Sequence, residues 1–266
     1  MSFENVRGTD IAVIGAAGKT GSAIVDALPP GARRLVHTAR VDGDYAVELE
    51  TGAGLRKALL GSRAVYFIAP NVHPDEPRLL RNVLTAAASA GVSHVVYHSV
   101  AWPFSPSMPH HMDKAVCEDE LHRSPLNWTV LQPCAYLDNF ASVFAGESTR
   151  ISLPYSPDTR FSFVSLRDVA AVAAAVLVEG TRHYGATYEL GGPEALSVRE
   201  LAARYSVEVE RISLDEWQET VGSTMPAGAA ARLRAMFDFY DHHDFLAGRG
   251  GFAACEGASP HVHENA

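Results

Sequence analysis

The 266-residue sequence has few cysteines, and their spacing suits neither a disulfide framework nor a metal cluster. Cys117, Cys134 and Cys255 lie far apart and form no Cys-x-x-Cys pair. This pattern argues against a disulfide scaffold or zinc ribbon and favours a reducing compartment. The sequence also lacks an apolar run of transmembrane length and a secretory signal at its start, so we expect a cytoplasmic protein with no membrane partner.

Basic runs are absent as well. The formal net charge is −9, and no Lys/Arg stripe of the kind that binds phosphate backbones appears, so we expect no nucleic-acid partner. None of the histidines has the spacing of a helical zinc site, and we predict no metal. Apolar residues make up 47% and charged residues 20% of the chain, a balance typical of an ordered globular protein.

Short β-branched runs alternate with helical patterns over the first two-thirds of the chain, which predicts a parallel sheet covered on both faces. The fold class is therefore α/β, a Rossmann-type doubly wound parallel sheet with a small discontinuous α+β substrate lobe. The predicted strands of the first part are 11–14, 34–38, 45–49, 64–69, 94–99 and 128–131. The predicted helices between them are 20–28, 54–60, 76–90 and 113–123.

The alternation changes after Pro133. We assign residues 1–133 to the dinucleotide-binding domain, completed by about 164–191, and residues 134–163 and 192–266 to the small lobe. Residues 140–163 are expected to be largely loop. The later predictions are strands at 151–153, 160–164, 187–190 and 207–212, and helices at 167–179, from 197 and at 215–221. From about Gly248 the chain is rich in Gly, Ala and His, and we expect weak order.

A glycine-rich turn follows the first strand and opens a helix. Its sequence is Gly15-Ala-Ala-Gly18-Lys-Thr-Gly21. In this strand–turn–helix context the first glycine permits a tight turn, the second lets the backbone approach a diphosphate, and the third lets the helix pack closely. The helix start then offers free N–H groups to phosphates. The turn therefore predicts a dinucleotide site that includes Ala17, Lys19 and Thr20 beside the glycines.

The end of the second strand indicates which dinucleotide is bound. A classical NAD site has an acidic residue there for the ribose 2′-hydroxyl. Here Arg40 stands about twenty residues beyond the turn, where a guanidinium can hold a 2′-phosphate by a charge-assisted contact. Although Asp42 and Asp44 lie close by, Arg40 leads us to predict NADP(H) in preference to NAD(H).

The chain resembles the NmrA-like family, an atypical branch of the short-chain dehydrogenase/reductase superfamily. Four stretches carry the resemblance: the glycine turn, His94-Val-Val-Tyr-His-Ser99, Leu126 to Pro133 running into Tyr136-Leu-Asp-Asn-Phe140, and Phe163 to Ala170 with Tyr188 to Pro193. The resemblance covers about residues 10–240. It implies the cofactor more firmly than any one reaction, since similar proteins include quinone and dye reductases as well as regulators that bind dinucleotide without known chemistry.

The same resemblance implies further cofactor contacts. Ala69, Pro70 and Asn71, in the loop after the strand 64–69, are expected to run beside the cofactor. Ser99, at the end of the strand 94–99, is expected there too. Pro133, Cys134 and Tyr136 are expected near the nicotinamide and the substrate.

The superfamily's usual catalytic pair is Tyr-x-x-x-Lys, and here the match is incomplete. Lys114 takes the lysine position, where the resemblance implies a role on the nicotinamide ribose, but His110 takes the tyrosine position. A histidine can act as a general acid near neutral pH, and His111 is equally placed by sequence. Tyr136 is a further candidate donor to a substrate carbonyl. The alternatives are that both histidines simply open a helix facing solvent, that Lys114 pairs with Glu118, and that Tyr136 is an aromatic wall.

These residues favour an enzyme, an NAD(P)H-dependent oxidoreductase acting as a monomer or homodimer. We predict an NADPH-dependent reductase that passes hydride to a small aromatic, quinone or enone-type substrate, with the cofactor supplying the chemistry. Two alternatives stay open. One is a non-catalytic NADP(H)-sensing regulator that binds a protein partner. The other is a non-redox cyclase, isomerase or dehydratase, with His110, His111, Tyr136 and Asp138 in acid–base roles.

Overall fold

The computed structural model describes residues 10–37 and 44–248 and places a seven-stranded sheet at its centre. The strand order is β3-β2-β1-β4-β5-β6-β9, and every neighbouring pair is parallel. The strands are β1 (Ile11–Ile14), β2 (Arg33–Val36), β3 (Asp44–Ala46), β4 (Ala64–Phe67), β5 (His94–His98), β6 (Asn127–Pro133) and β9 (Ala186–Leu190). From β1 the chain runs outward through β2 to β3 and then crosses over to β4 on the other side of β1, which opens a crevice at the carboxyl end of β1.

Helices cover both faces of the sheet. They are α1 (Lys19–Ala27), α2 (Leu55–Leu59), α3 (Glu76–Ala90), α4 (Pro109–His122) and α6 (Leu166–Glu179). Side chains alternate across each strand, so Ile14 packs with the α2 and α3 cluster while Val13 packs with the α1 and α6 cluster. Both side chains are almost fully buried. This confirms the doubly wound α/β fold class.

A second group of elements packs beyond the carboxyl end of the sheet. They are α5 (Ala141–Phe144), β7 (Arg150–Leu153), β8 (Arg160–Phe161), β10 (Leu196–Ser197), α7 (Val198–Arg204), β11 (Glu208–Arg211), α8 (Leu214–Thr220) and α9 (Ala227–His242). β7 pairs with β11 and β8 with β10, in two small sheets. Their apolar faces share one cluster that includes Phe161, Leu201 and Tyr240. The predicted division of the chain at residues 134, 164 and 192 stays a prediction.

Most predicted elements are present, with shifted ends. The helix Glu76–Ala90 has the predicted bounds, and Ser197 forms a capping box with Glu200 at the start of α7. α4 begins at Pro109 rather than Asp113, because proline at the first helical position needs no backbone partner. β6 continues to Pro133 instead of ending at residue 131, and β3 ends at Ala46 instead of residue 49.

The expectation of loop over residues 140–163 missed α5, whereas the strands predicted at 151–153 and 160–164 are present as β7 and the shorter β8. Helix α9 was not predicted at all. The predictions for Arg40 and for the His-rich tail lie outside the described residues. No helix in the described ranges is both long and apolar enough to cross a bilayer.

Candidate functional site

The turn between β1 and α1 leaves no room for side chains at two of its three glycines. Gly15 has a φ of 85°, and a Cβ there would lie 2.5 Å from the Ile68 Cγ2 atom. A Cβ on Gly21 would lie 2.2 Å from the Gly15 carbonyl oxygen. A Cβ on Gly18 would lie 3.3 Å from the same oxygen, which is a much milder contact. The turn is therefore bare backbone at these positions, and we call residues 15–21 the glycine cradle.

The start of α1 faces this cradle without a side-chain cap. Gly18 is the N-cap residue and has no side chain to accept a hydrogen bond from the first turn. The N–H groups of a first helical turn have no partners within the helix and attract anions. Lys19 and Thr20 belong to this turn and line the adjoining cavity, whereas Ala17 is exposed at the tip of the loop. The geometry fits a bound diphosphate.

One continuous cavity of about 1400 Å³ runs from this cradle across the carboxyl edge of the sheet into the second group of elements. Its volume exceeds the roughly 300–1,000 Å³ of sites for drug-sized ligands, so it has room for a dinucleotide and a second molecule. Of the predicted cofactor residues, the loop Ala69-Pro70-Asn71, Ser99 and Pro133 all line it, together with the candidates His110, His111, Lys114 and Tyr136.

Lys114 is held by a buried carboxylate from another helix. Its Nζ lies 2.9 Å from Glu76 Oε1, donates to the His98 carbonyl at 3.2 Å and lies 5.4 Å from the centre of the Tyr97 ring. The Tyr97 hydroxyl also donates to Glu76, at 2.6 Å. The alternative of a helical pair with Glu118 is wrong. That side chain is buried and accepts hydrogen bonds from Ser99 and, at 2.9 Å, from Gln132.

His110 and His111 are neutral at physiological pH. Burial lowers the pKa of His110 to about 3 and that of His111 to about 4, with nearby positive charge adding to the effect. His111 Nδ1 lies 3.0 Å from the Trp102 carbonyl oxygen, while His110 Nδ1 is buried with no partner among the described residues. The alternative that both face solvent is wrong, and neither carries an acidic imidazolium proton at pH 7.

A chain of three aromatic side chains crosses the crevice on the α1 side of the sheet. The Tyr66 hydroxyl lies 2.5 Å from His98 Nδ1, and the Tyr136 hydroxyl lies 3.0 Å from His98 Nε2. Burial lowers the pKa of His98 to about 3 and raises that of Tyr136, while the Thr20 side chain opposes the rise as a donor to the phenol oxygen. Tyr136 therefore joins the glycine turn to the sheet interior.

Asp138 has a structural contact that was not predicted. Its carboxylate accepts the Leu166 backbone N–H at 2.7 Å, at the start of α6. Its carbonyl accepts from the Lys19 ammonium at 2.5 Å, which ties the segment after β6 to the glycine turn. The structure uses this carboxylate to anchor a helix.

The far end of the cavity is apolar and aromatic. Phe237 packs edge-on against Trp217 at 5.0 Å and stacks on Tyr155 at 5.8 Å between ring centres. Other rings on the cavity wall are Phe140, Phe161, Phe163, Tyr240 and Phe245. The rings of this wall, which we call the aromatic wall, come from segments far apart in sequence. Two of them, Phe237 and Tyr240, belong to α9, which was not predicted. Cys134 lines the cavity too, but burial raises its thiol pKa to about 12, so it is not a reactive thiol.

Among the residues in these contacts that were not selected from the sequence are Glu76, Tyr66 and His98. A signal existed for two of them. Strand alternation places Tyr66 and His98 on the same face of neighbouring strands, opposite to Tyr97. Glu76 could not be found in this way, because its pairing with Lys114 joins the starts of two helices 38 residues apart.

Comparison with known proteins gives one family. The model of the NmrA-like family matches residues 44–248. A Streptomyces griseus subsp. griseus protein, (4-alkanoyl-5-oxo-2,5-dihydrofuran-3-yl)methyl phosphate reductase, is 34% identical over 209 residues, covering 74% of this chain and 72% of that protein. The NAD(P)H azoreductase of Xenophilus azovorans is 30% identical over 262 residues, covering 90% and 89%.

A solved structure supports the fold. The triphenylmethane reductase of Citrobacter sp., in complex with NADP(H), superimposes with a TM-score of 0.74 over 88% of this chain and 90% of that one. The two sequences are 22% identical, so the likeness establishes a shared fold.

Proposed function

The chain belongs to the NmrA-like family, and from this membership we propose that it is an NADP(H)-dependent reductase of a small aromatic, quinone or enone-type acceptor. The observation that carries the proposal is the single cavity joining the bare glycine cradle to the aromatic wall. A cavity of this form would hold a dinucleotide and an apolar acceptor end to end. Two relatives above, at 30% identity or more, bear the names of reductases.

The cofactor would be held by the cradle and by the walls of the crevice. Gly15, Gly18 and Gly21 would admit the diphosphate, with Lys19 and Thr20 beside it. Further contacts would come from the other predicted residues of the cavity, Ala69, Pro70, Asn71, Ser99, Lys114 and Pro133. When bound, the nicotinamide supplies a hydride to the acceptor. Arg40 would select NADP(H) through the 2′-phosphate, and Ala17 would contribute backbone at the tip of the turn.

Lys114 would present its ammonium to the cofactor ribose. Its contacts with Glu76 and the His98 carbonyl fix its position, and it is only about one-sixth exposed. An ammonium group has three donor hydrogens. Two of those on Lys114 point to Glu76 and the His98 carbonyl, so the third is available to the cofactor. This is the role that the lysine of the Tyr-x-x-x-Lys pair implies.

His110 would polarise the acceptor as a neutral hydrogen-bond donor. A proton on its buried, unpartnered Nδ1 would be an unsatisfied donor, so the tautomer with the proton on Nε2 is favoured. A neutral histidine stabilises developing negative charge on oxygen without giving up a proton. Water then protonates the reduced acceptor. This arrangement suits quinones, whose hydroquinone anions are much weaker bases than the alkoxide of a simple ketone, and enones, whose enolates spread the negative charge over oxygen and carbon.

The acceptor would be uncharged. Three basic side chains line the described part of the cavity, and each already has an acceptor: Lys19 on the Asp138 carbonyl, Lys114 on Glu76, and Arg150 on Glu208 and Glu210. An acceptor carrying a phosphate ester, such as the Streptomyces relative's name describes, would have to share one of these cations with its present partner.

The test is to follow loss of NADPH absorbance with a panel of quinones, enones and one phosphate-bearing butenolide. We expect turnover with at least one uncharged acceptor, and tighter binding of NADPH than of NADH. Tight NADPH binding with no turnover on any acceptor would overturn the reductase. It would favour instead the dinucleotide-sensing regulator, for which histidine at the tyrosine position of the usual catalytic pair is the supporting observation.

A further inference from the structure

We propose that Tyr66 and His98 hold the Tyr136 hydroxyl as a fixed hydrogen-bond donor to the diphosphate of the bound dinucleotide. The inference rests on the proposed cofactor, and it assigns a role to a buried hydrogen-bond chain that the glycine turn does not explain. Tyr66 and His98 are positioning residues in this scheme. Tyr136 is the residue that touches the cofactor.

The chain begins at a hydroxyl with one partner. Tyr66 is fully buried on β4, and in the described part of the structure its hydroxyl bonds His98 Nδ1 and nothing else. A buried hydroxyl hydrogen left without an acceptor is strongly unfavourable. The Tyr66 hydrogen therefore points at Nδ1, which must be unprotonated to accept it.

This fixes the state of His98. The imidazole is 6% exposed and neutral, so it carries one proton, and with Nδ1 occupied as an acceptor that proton lies on Nε2. Nε2 lies 3.0 Å from the Tyr136 oxygen. The Nε2–H group therefore donates to Tyr136, and one lone pair of the Tyr136 oxygen is occupied from the sheet side.

The Tyr136 hydrogen is thereby directed away from the sheet. His98 cannot accept this hydrogen, and the Thr20 hydroxyl of the first α1 turn lowers the Tyr136 pKa, as a donor to the phenol oxygen does. The Tyr136 hydrogen is therefore left to point into the cavity. Tyr66 thus donates to His98, His98 donates to Tyr136, and the Tyr136 hydroxyl remains as a donor beside the glycine turn.

The position of this donor favours a phosphate over the acceptor molecule. Thr20 belongs to the helix turn whose free N–H groups face the cradle, and the Lys19 contact with the Asp138 carbonyl holds the segment after β6 against that turn. The aromatic wall lies at the other end of the cavity. A phenol fixed as a donor beside uncapped N–H groups completes a site for an anion with several oxygens.

The experiment compares the full-length wild type with Tyr66→Phe, Tyr136→Phe and the double variant, using calorimetry with NADPH and with adenosine 2′-monophosphate, which has no diphosphate. Loss of a hydrogen bond to a charged group predicts that Tyr136→Phe raises the NADPH Kd about 10-fold or more. Tyr66→Phe should raise it about 3-fold, because the histidine proton is no longer fixed to one nitrogen. The double variant should match Tyr136→Phe, and adenosine 2′-monophosphate should bind all four proteins equally.

A matched control is available outside the cavity. The Tyr188 hydroxyl lies 2.8 Å from His183 Nδ1, so Tyr188→Phe also removes a contact between a tyrosine and a histidine. It should leave the NADPH Kd unchanged. Nitrogen-15 NMR of the histidine side chains gives a second readout, independent of any ligand. It should show the His98 proton on Nε2 in the wild type and in Tyr188→Phe, and a mixture of tautomers in Tyr66→Phe.

Several results would overturn the inference: a His98 proton on Nδ1, an unchanged NADPH Kd in Tyr136→Phe, or equal weakening of NADPH and adenosine 2′-monophosphate. A Tyr136→Phe variant that loses kcat while keeping its Kd would also overturn it, since the tyrosine would then serve the acceptor. A wild type that binds NADPH as described but reduces nothing would defeat the reductase proposal and leave this inference standing. A wild type that binds no NADPH would defeat both.

Discussion

The two ends of the cavity are built in different ways. The glycine cradle is formed by one turn of seven residues, and two of its positions tolerate no added carbon atom. The aromatic wall comes from α8, α9, β8 and the connecting segments around them, and its rings pack against one another at ordinary distances. The glycine cradle accepts one ligand shape, because it is built from backbone. The aromatic wall is an apolar surface whose shape changes when its side chains are substituted.

This difference separates recognition of the cofactor from choice of the acceptor. A backbone cradle depends on steric limits, so single changes there should act sharply. A wall of packed rings tolerates substitutions of similar volume, with modest effects on packing. Lys114 and its partner Glu76 stand between the two ends, and disturbing them should affect the whole molecule.

The largest effect is expected from Lys114→Met, which leaves the Glu76 carboxylate buried without its cation. Breaking a buried ion pair by removing one partner costs about 3–5 kcal/mol of unfolding free energy. Urea unfolding followed by circular dichroism measures it. The double variant Lys114→Met/Glu76→Gln should recover most of that stability, but its NADPH affinity should stay below that of the wild type. Stability that stays unchanged in the single variant would show that the pair is solvated.

Gly21→Ala should act on the cofactor end alone. The added Cβ would meet the Gly15 carbonyl at 2.2 Å, and backbone cannot move aside as a side chain does. We expect the NADPH Kd to rise roughly 100-fold as the cradle is distorted. The matched control is Gly228→Ala in the first turn of α9, where a Cβ meets nothing within 4 Å. Equal NADPH affinity in both variants would contradict the assigned cradle.

Phe237→Leu should act on the acceptor end alone. Losing the ring contacts with Trp217 and Tyr155 should raise KM for an aromatic acceptor about 5-fold, near 1 kcal/mol, with the NADPH Kd unchanged. Phe144→Leu is the control, since Phe144 packs on Tyr205 and does not line the cavity. A change in NADPH Kd with no change in KM would reverse the assignment of the two ends.

The smallest expected effect is on the pH dependence of turnover. A histidine acid with the ordinary pKa near 6.5 would lose activity about ten-fold for each pH unit above that value. Burial lowers the pKa of His110 to about 3 and that of His111 to about 4, so both are neutral throughout the range from pH 6 to 8. We expect kcat to change less than about two-fold across it. A steep fall centred near pH 6.5 would restore a histidine as the acid.

The same comparison explains what could be predicted from the sequence. The glycine turn, its strand and its helix are contiguous, so their geometry is legible in a few residues, and the strand–helix alternation gives the fold class. The aromatic wall depends on contacts across 80 or more residues, as between Tyr155 and Phe237, which no local pattern specifies. Helix α9 was missed because its buried stripe is narrow, with Ala230 and Tyr240 as its two buried residues.

The ion pair of Lys114 also shows what could not be predicted from the sequence. Lys114 is predicted from its resemblance to a known pair, with Glu118 as the alternative partner because residues four apart on a helix are neighbours. The structure turns Glu118 toward Ser99 and Gln132 and brings Glu76 in from α3. Helix packing decides between the two carboxylates, and the sequence carries no local signal for it.

The central claim is that NADPH bound at the cradle reduces an acceptor held at the aromatic end of the same cavity. The most direct measurement uses NADPH dideuterated at the nicotinamide C4 position with an enone acceptor, followed by NMR of the product. We predict one deuterium on the β-carbon of the reduced enone and a solvent hydrogen on the α-carbon. A product with no deuterium on that carbon, or no product from a chain that binds NADPH, would contradict the claim.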